Sequence, residues 1–208
     1  MIDDLRNSGI QEHGSSDETL IKKVLFALLL GLLSCLPLQA QTFSIETISD
    51  TLSYLMLTTD STCDRWPLPY PVYQFQTGDI DGDGREDAMV GVVKKTRFYR
   101  EIGRRLFIFK NYRGKVRPLW MGSKLGGELV DFKSLKEGKE DSPTFIRALE
   151  TDNNGRYAIS DYRWEEFGMV FDHFIETNID QKDTAYEKFH SFCIGADDGH
   201  HDAGTTTR

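Results

Sequence analysis

Apolar and polar positions along the middle of the chain recur with a period of two, and this sets the expected class. Val72-Tyr73-Gln74-Phe75-Gln76 alternates as a half-buried strand does, and Ala88-Met89-Val90-Gly91-Val92-Val93 is the near-continuous apolar run of an inner strand. Arg105-Leu106-Phe107-Ile108-Phe109-Lys110 is another such run, which Asn111-Tyr112-Arg113-Gly114 turns back into Lys115-Val116-Arg117-Pro118-Leu119-Trp120 as a hairpin. Residues 128–132, 145–149, 157–162 and 169–175 continue the β pattern, the last two joined by a turn at Glu165-Glu166-Phe167-Gly168. The end of the domain reads either as a short strand at Ser191-Phe192-Cys193 or as a terminal helix over residues 184–192. Strands joined by tight turns, not alternating with long helices, predict a mainly β fold of antiparallel sheets.

Two segments break this rhythm. Over residues 42–57, Ile45, Ile48, Leu52, Leu55 and Met56 fall at helical spacing with Ser49 or Asp50 available as a cap, which predicts a short N-terminal helix. Residues 58–71 carry Pro67, Pro69 and Pro71 among turn formers and are expected to be irregular.

The first forty residues have a different purpose. A polar stretch of twenty is followed by Lys22 and Lys23, then Val24-Leu25-Phe26-Ala27-Leu28-Leu29-Leu30-Gly31-Leu32-Leu33, then a polar exit ending at Ala40. A basic start, an apolar run of about ten residues and a small residue at the exit describe a secretory signal cut after Ala40. The run is too short to cross roughly 30 Å of hydrocarbon as a helix. An alternative cut places Cys35 of Leu32-Leu33-Ser34-Cys35 at a lipidated N-terminus, the one case in which the chain is expected at a membrane. The division is therefore an extension and signal at 1–40, a single β-rich domain at 41–194 and a disordered tail at 195–208. The expected location is the periplasm or the medium, alternatively the cell envelope through Cys35. Cys63 and Cys193 remain in the domain, as a disulfide spanning it or as two thiols.

Composition narrows the function. With 33 acidic against 25 basic residues the 208-residue chain carries a formal charge of -8. No dense basic patch offers itself to phosphates, so nucleic acid is not an expected partner. A cell-envelope protein or a glycan fits an exported domain better.

One segment carries chemistry. Asp79-Ile80-Asp81-Gly82-Asp83-Gly84-Arg85-Glu86-Asp87 places carboxylates at positions 1, 3, 5 and 9, with Gly84 at the sixth to allow a sharp turn. Calcium takes six to eight oxygen ligands from such a loop, and magnesium holds its water more tightly. Asp79, Asp81, Asp83, the main-chain carbonyl of Arg85, and Asp87 are the expected ligands of one calcium ion. Val90 stands where an EF-hand requires glutamate, so the loop is not of that kind.

From Gly78 to Gly91 the chain resembles the calcium loop of FG-GAP/VCBS-type repeats, found in integrin alpha chains and in exported bacterial proteins. The resemblance covers about 20 residues. It implies the same ligand set and two or three propeller-like blades, the alternative architecture being a small β-sandwich. A fainter echo at Glu150-Thr151-Asp152-Asn153-Asn154-Gly155-Arg156-Tyr157-Ala158 keeps the turn residues and replaces the last carboxylate by alanine.

The sequence holds no serine elbow, P-loop, HExxH or dinucleotide fingerprint. The expected function is an exported, calcium-stabilised β domain with a binding or structural role and no catalytic residue. The alternative is a small secreted glycoside-type hydrolase using acids such as Asp161, Glu165, Glu166 or Asp172.

Overall fold

The computed structural model describes residues 22–23, 41–97, 99–122, 124–136, 138, 142 and 144–197. The chain separates into residues 1–39 and residues 40–208, and the strands and helix of the fold lie in the second unit. The expected signal segment lies outside the described residues apart from Lys22 and Lys23, as do residues 198–208 of the expected tail.

Among the described residues of this unit, eleven strands and one helix make the fold. β1 (Gln41–Ser49), β2 (Leu52–Thr59) and β3 (Cys63–Leu68) form a three-stranded sheet in that order. The remaining strands are β4 (Val72–Gly78), β5 (Asp87–Lys94), β6 (Gly103–Tyr112), β7 (Lys115–Met121), β8 (Glu128–Lys136), β9 (Thr144–Thr151), β10 (Tyr157–Glu165) and β11 (Gly168–Ile179). They build an eight-stranded sheet ordered β11-β10-β9-β8-β6-β5-β4, with β7 paired to β6 beside that path. All pairings are antiparallel. Helix α1 (Lys182–Asp197) closes the unit.

The mainly β, antiparallel expectation is borne out, and the resemblance to propeller repeats is overturned. The two sheets are open: β4 and β11 end one and β1 and β3 the other, with no ring of blades. A propeller blade is a small sheet of about four strands in a closed ring, whereas here β4 to β11 run through one continuous sheet. The loop at residues 79–87 is thus a hairpin connection in an open sheet, not the mark of an FG-GAP/VCBS blade.

The expected N-terminal helix is also corrected, since residues 42–57 form the β1–β2 hairpin. The apolar spacing fits two strands as well as one helix: Phe43 of β1 and Leu55 and Leu57 of β2 are buried, while Ile48, a member of the helical stripe, is 56% exposed. β-branched Thr42, Ile45, Thr47 and Ile48 favour the pleated alternative. The proline-rich stretch expected to be irregular contains β3. Pro67 is tolerated there because β3 is an edge strand, with one side of its backbone released from pairing.

Packing explains the apolar runs. Ala88, Val90, Val92, Phe107 and Phe109 bury one face of β5 and β6 against Phe43, Leu55, Leu57 and Leu68 of the small sheet. Met89, Leu106 and Ile108, on the opposite face, pack with Ile80, Phe132, Ile146 and Tyr162. Both faces are covered, so alternation disappears from the sequence of these strands. A third cluster seats α1: Ala185, Phe189 and Cys193, spaced by one turn, pack on Leu135, Phe145, Leu149 and Ile159. The terminal-helix reading is the correct one of the two.

Beneath that helix lies a buried ion pair. Arg147 of β9 faces Asp161 of β10 in register, and donates from Nε and Nη2 to the two carboxylate oxygens at 2.8 Å each. Its Nη1 donates to the Phe192 carbonyl at 2.6 Å, tying the helix to the sheet. No disulfide joins Cys63, exposed on β3, to Cys193, on the buried face of α1. Among the described residues no helix is long and apolar enough to cross a membrane.

Candidate metal centre

The acidic loop joins β4 to β5, and register alone brings its ends together, since Gly78 pairs with Asp87. Between them the chain winds around its own side chains. Asp79 accepts from Gly82 N–H through Oδ1 and from Gly84 N–H through Oδ2, both at 2.8 Å. Asp81 Oδ1 accepts from Asp83 N–H at 3.2 Å and Asp83 Oδ1 from Arg85 N–H at 3.0 Å. Aspartate side chains bonding to the backbone a few residues ahead are the usual currency of such turns. Gly84 has φ 79°, a conformation in which a side chain would be strained.

Ile80 and Asp87 anchor the loop from within. Ile80 is 2% exposed and belongs to the second apolar cluster. Its N–H donates to Asp87 Oδ2 at 3.1 Å. Asp87 is itself only 1% exposed. Outside the loop, Gln41 of β1 donates to the Glu86 carbonyl at 2.7 Å, and Asp79 O accepts from Thr144 N–H at 3.1 Å.

This winding brings Asp79, Asp81 and Asp87 together, with one carboxylate oxygen from each lying within 4.8 Å of the others. That span is twice a calcium–oxygen distance of about 2.4 Å, so one divalent ion could touch all three. Asp83 stands outside this cluster, more exposed, and the Arg85 side chain is exposed.

Lys110, at the end of β6, was not anticipated from the sequence. Its ammonium contacts Asp81 Oδ2 and lies 3.4 Å from Asp83 Oδ2. Burial pulls the Lys110 pKa down, but the hydrogen bond and charge of Asp81, reinforced by Asp83, outweigh it and hold the group above the usual lysine value. A signal for this lysine existed in its place directly after Phe107-Ile108-Phe109, where a strand leaves the core beside the loop. Asp87 moves the other way: burial pushes its carboxyl from 3.8 to about 7, the Asp81 charge adds to the rise, and the Ile80 N–H opposes it. The site thus holds four loop carboxylates against one ammonium, with the most buried of the four resisting ionisation.

No family model matches this chain, and no curated protein matches it. Its site must be read from its own residues.

The acids considered for hydrolysis are placed as follows. Asp161 is held by Arg147, and Asp172 of β11 by Arg163 Nε at 2.7 Å. The Arg163 hydrogen bond keeps the Asp172 carboxyl below the usual carboxylate range. His173 approaches both, 3.9 Å from Asp161 and 3.3 Å from Asp172. Glu165 and Glu166 are exposed at the β10–β11 turn. Asp161 and Asp172 are therefore neighbours, and each is already engaged by an arginine.

Proposed function

We propose that the β4–β5 loop binds one calcium ion, which stabilises an exported β domain whose role is binding or structural. The observation that carries this reading is the meeting of Asp79, Asp81 and the buried Asp87 within 4.8 Å. Three hard oxygen donors in one loop, with Asp83 and the Arg85 carbonyl close in sequence to complete the shell, suit calcium better than magnesium. A divalent cation would also offset the like-charge repulsion and burial that raise the Asp87 pKa. Lys110 supplies one positive charge to the group, and calcium would take over part of its partnership with Asp81.

The export signal at Lys22, Lys23 and the apolar run after them supports a compartment in which calcium is plentiful. Extracellular calcium modules work with Kd values of about 10⁻⁴ to 10⁻³ M. At 10 mM ion, such affinity stabilises the folded state by about 1–3 kcal/mol. Calorimetric titration of chelator-treated protein should show one calcium site, with a weaker response to magnesium and a higher melting temperature in calcium. A folded protein that gives neither heat nor a melting shift with millimolar calcium refutes the proposal.

A further inference from the structure

A second site lies away from the loop, where β9, β10 and β11 meet the connection between β7 and β8. A cavity of about 560 Å³ opens there, within the range that holds small organic ligands. Glu150 of β9 belongs to its lining and is only 3% exposed. Its two carboxylate oxygens are each fixed by a neutral donor. Gly127 N–H donates to Oε1 at 2.8 Å and the Tyr162 hydroxyl donates to Oε2 at 2.7 Å. That hydroxyl accepts in turn from Gly126 N–H at 2.8 Å. Among the described residues no cation pairs with Glu150, and Lys124, which also borders the cavity, is engaged by Glu128 at 2.9 Å.

The lining also carries aromatic rings, starting with Tyr162 beside Glu150. Tyr162 meets Phe171 edge-on with ring centroids 5.9 Å apart, and Phe171 lies 4.7 Å from Phe174. Phe171 and Phe174 stay 44% and 57% exposed beside the cavity. A buried carboxylate lacking a cation is costly, because neutral donors compensate it only in part. Aromatic faces attract cations and cover apolar bodies. One chemical class satisfies both halves of the cavity.

We propose that this cavity binds a small organic ammonium compound, its cation against Glu150 and its apolar body against Tyr162, Phe171 and Phe174. Each Glu150 oxygen keeps a lone pair for an ammonium N–H beyond the donor it already has. A sugar would also stack on these rings, but its neutral hydroxyls would leave Glu150 without a counter-charge. The ammonium is therefore the occupant that the charge arrangement favours.

The test is calorimetric titration of the full chain, in excess calcium, with benzylammonium, benzyl alcohol and cellobiose. Benzylammonium should bind roughly ten times more tightly than the alcohol, and cellobiose should give no heat. Glu150→Gln should weaken benzylammonium about tenfold. Because Glu150 is buried and its substitution could disturb folding, the exposed Phe174→Ala provides an independent arm. It should lower affinity about threefold with an unchanged melting temperature. The proposal is overturned if benzylammonium shows no binding at tens of millimolar, if the alcohol or cellobiose binds as well, or if folded Glu150→Gln and Phe174→Ala both keep native affinity.

Discussion

Replacing Asp87 by asparagine separates the charge of the loop site from its shape. Burial holds the Asp87 carboxyl near 7 in the folded chain, against an ordinary 3.8. Between these values the folded chain keeps a proton that the unfolded chain has released, so metal-free stability falls as pH rises through the window. Above it, the full difference corresponds to about 4 kcal/mol of destabilisation. Asparagine keeps an oxygen for the Ile80 N–H and carries no charge. Its buried amide hydrogens need acceptors, and imperfect pairing costs about 1–2 kcal/mol. The net gain is roughly 2–3 kcal/mol, and at this chain length it should raise the melting temperature by about 5–10 °C. Asp87→Asn should therefore melt higher than the native chain at pH 8 in chelator, and slightly lower near pH 4, where folded Asp87 is protonated, the charge penalty is nearly gone and the amide cost remains. Added calcium should close much of the gap, stabilising the native chain by about 1–3 kcal/mol and leaving the variant nearly unmoved. Thermal melts followed by circular dichroism at the two pH values, with chelator and with millimolar calcium, give the four comparisons. A variant less stable than native in chelator at pH 8, or one that keeps the native calcium response, refutes the reasoning.

Lys110 and the buried ion pair lead to two further tests. Lys110→Met removes the ammonium that contacts Asp81 and lies near Asp83. It should raise calcium affinity roughly three- to tenfold by titration calorimetry while lowering metal-free stability, and weaker calcium binding would show that the lysine assists the ion. Arg147→Met leaves Asp161, 2% exposed, without its cation and releases the Phe192 carbonyl. It should cost about 3–5 kcal/mol in urea unfolding and leave calcium affinity unchanged.

The sequence made the central strands legible, misread the N-terminal end of the domain and left the C-terminal end open between two readings. β5 and β6 are apolar runs because each is covered on two faces, and their shortness and their β-branched and aromatic residues favour strands over a buried helix segment. The β1–β2 hairpin is harder, because helical spacing and two alternating strands can be drawn through the same few apolar residues. The choice is made by long-range packing of Phe43, Leu55 and Leu57 against β5 and β6, which a local window does not contain. Pro67 marked β3 as irregular only because its edge position could not be known before the sheet order. At the other end, α1 was visible as one of two readings, and the apolar floor provided by β8, β9 and β10 decides between them.

The loop and its echo show where legibility stops within a site. Asp81 Oδ1 accepts from the N–H two residues ahead at 3.2 Å, and its counterpart Asp152 does the same with Asn154 at 2.8 Å. Gly84 and Gly155 match in φ, at 79° and 78°. The backbone turn is thus written locally, by small polar residues and glycine within five positions, and both copies can be read from sequence. The destinations of the carboxylates depend on strands far away in the chain. Asp87 is driven into the core by Ile80 and β5 and shares its surroundings with Lys110 of β6, whereas Ala158 at the matching place leaves nothing to bury. Glu150, aligned with Asp79, turns instead toward Tyr162 of β10 and the Gly127 amide. The same turn chemistry therefore produces a cluster of acids at one hairpin and a solitary buried carboxylate facing a cavity at the other. On the proposals above, the acid cluster would take a hard divalent ion and Glu150 an organic ammonium.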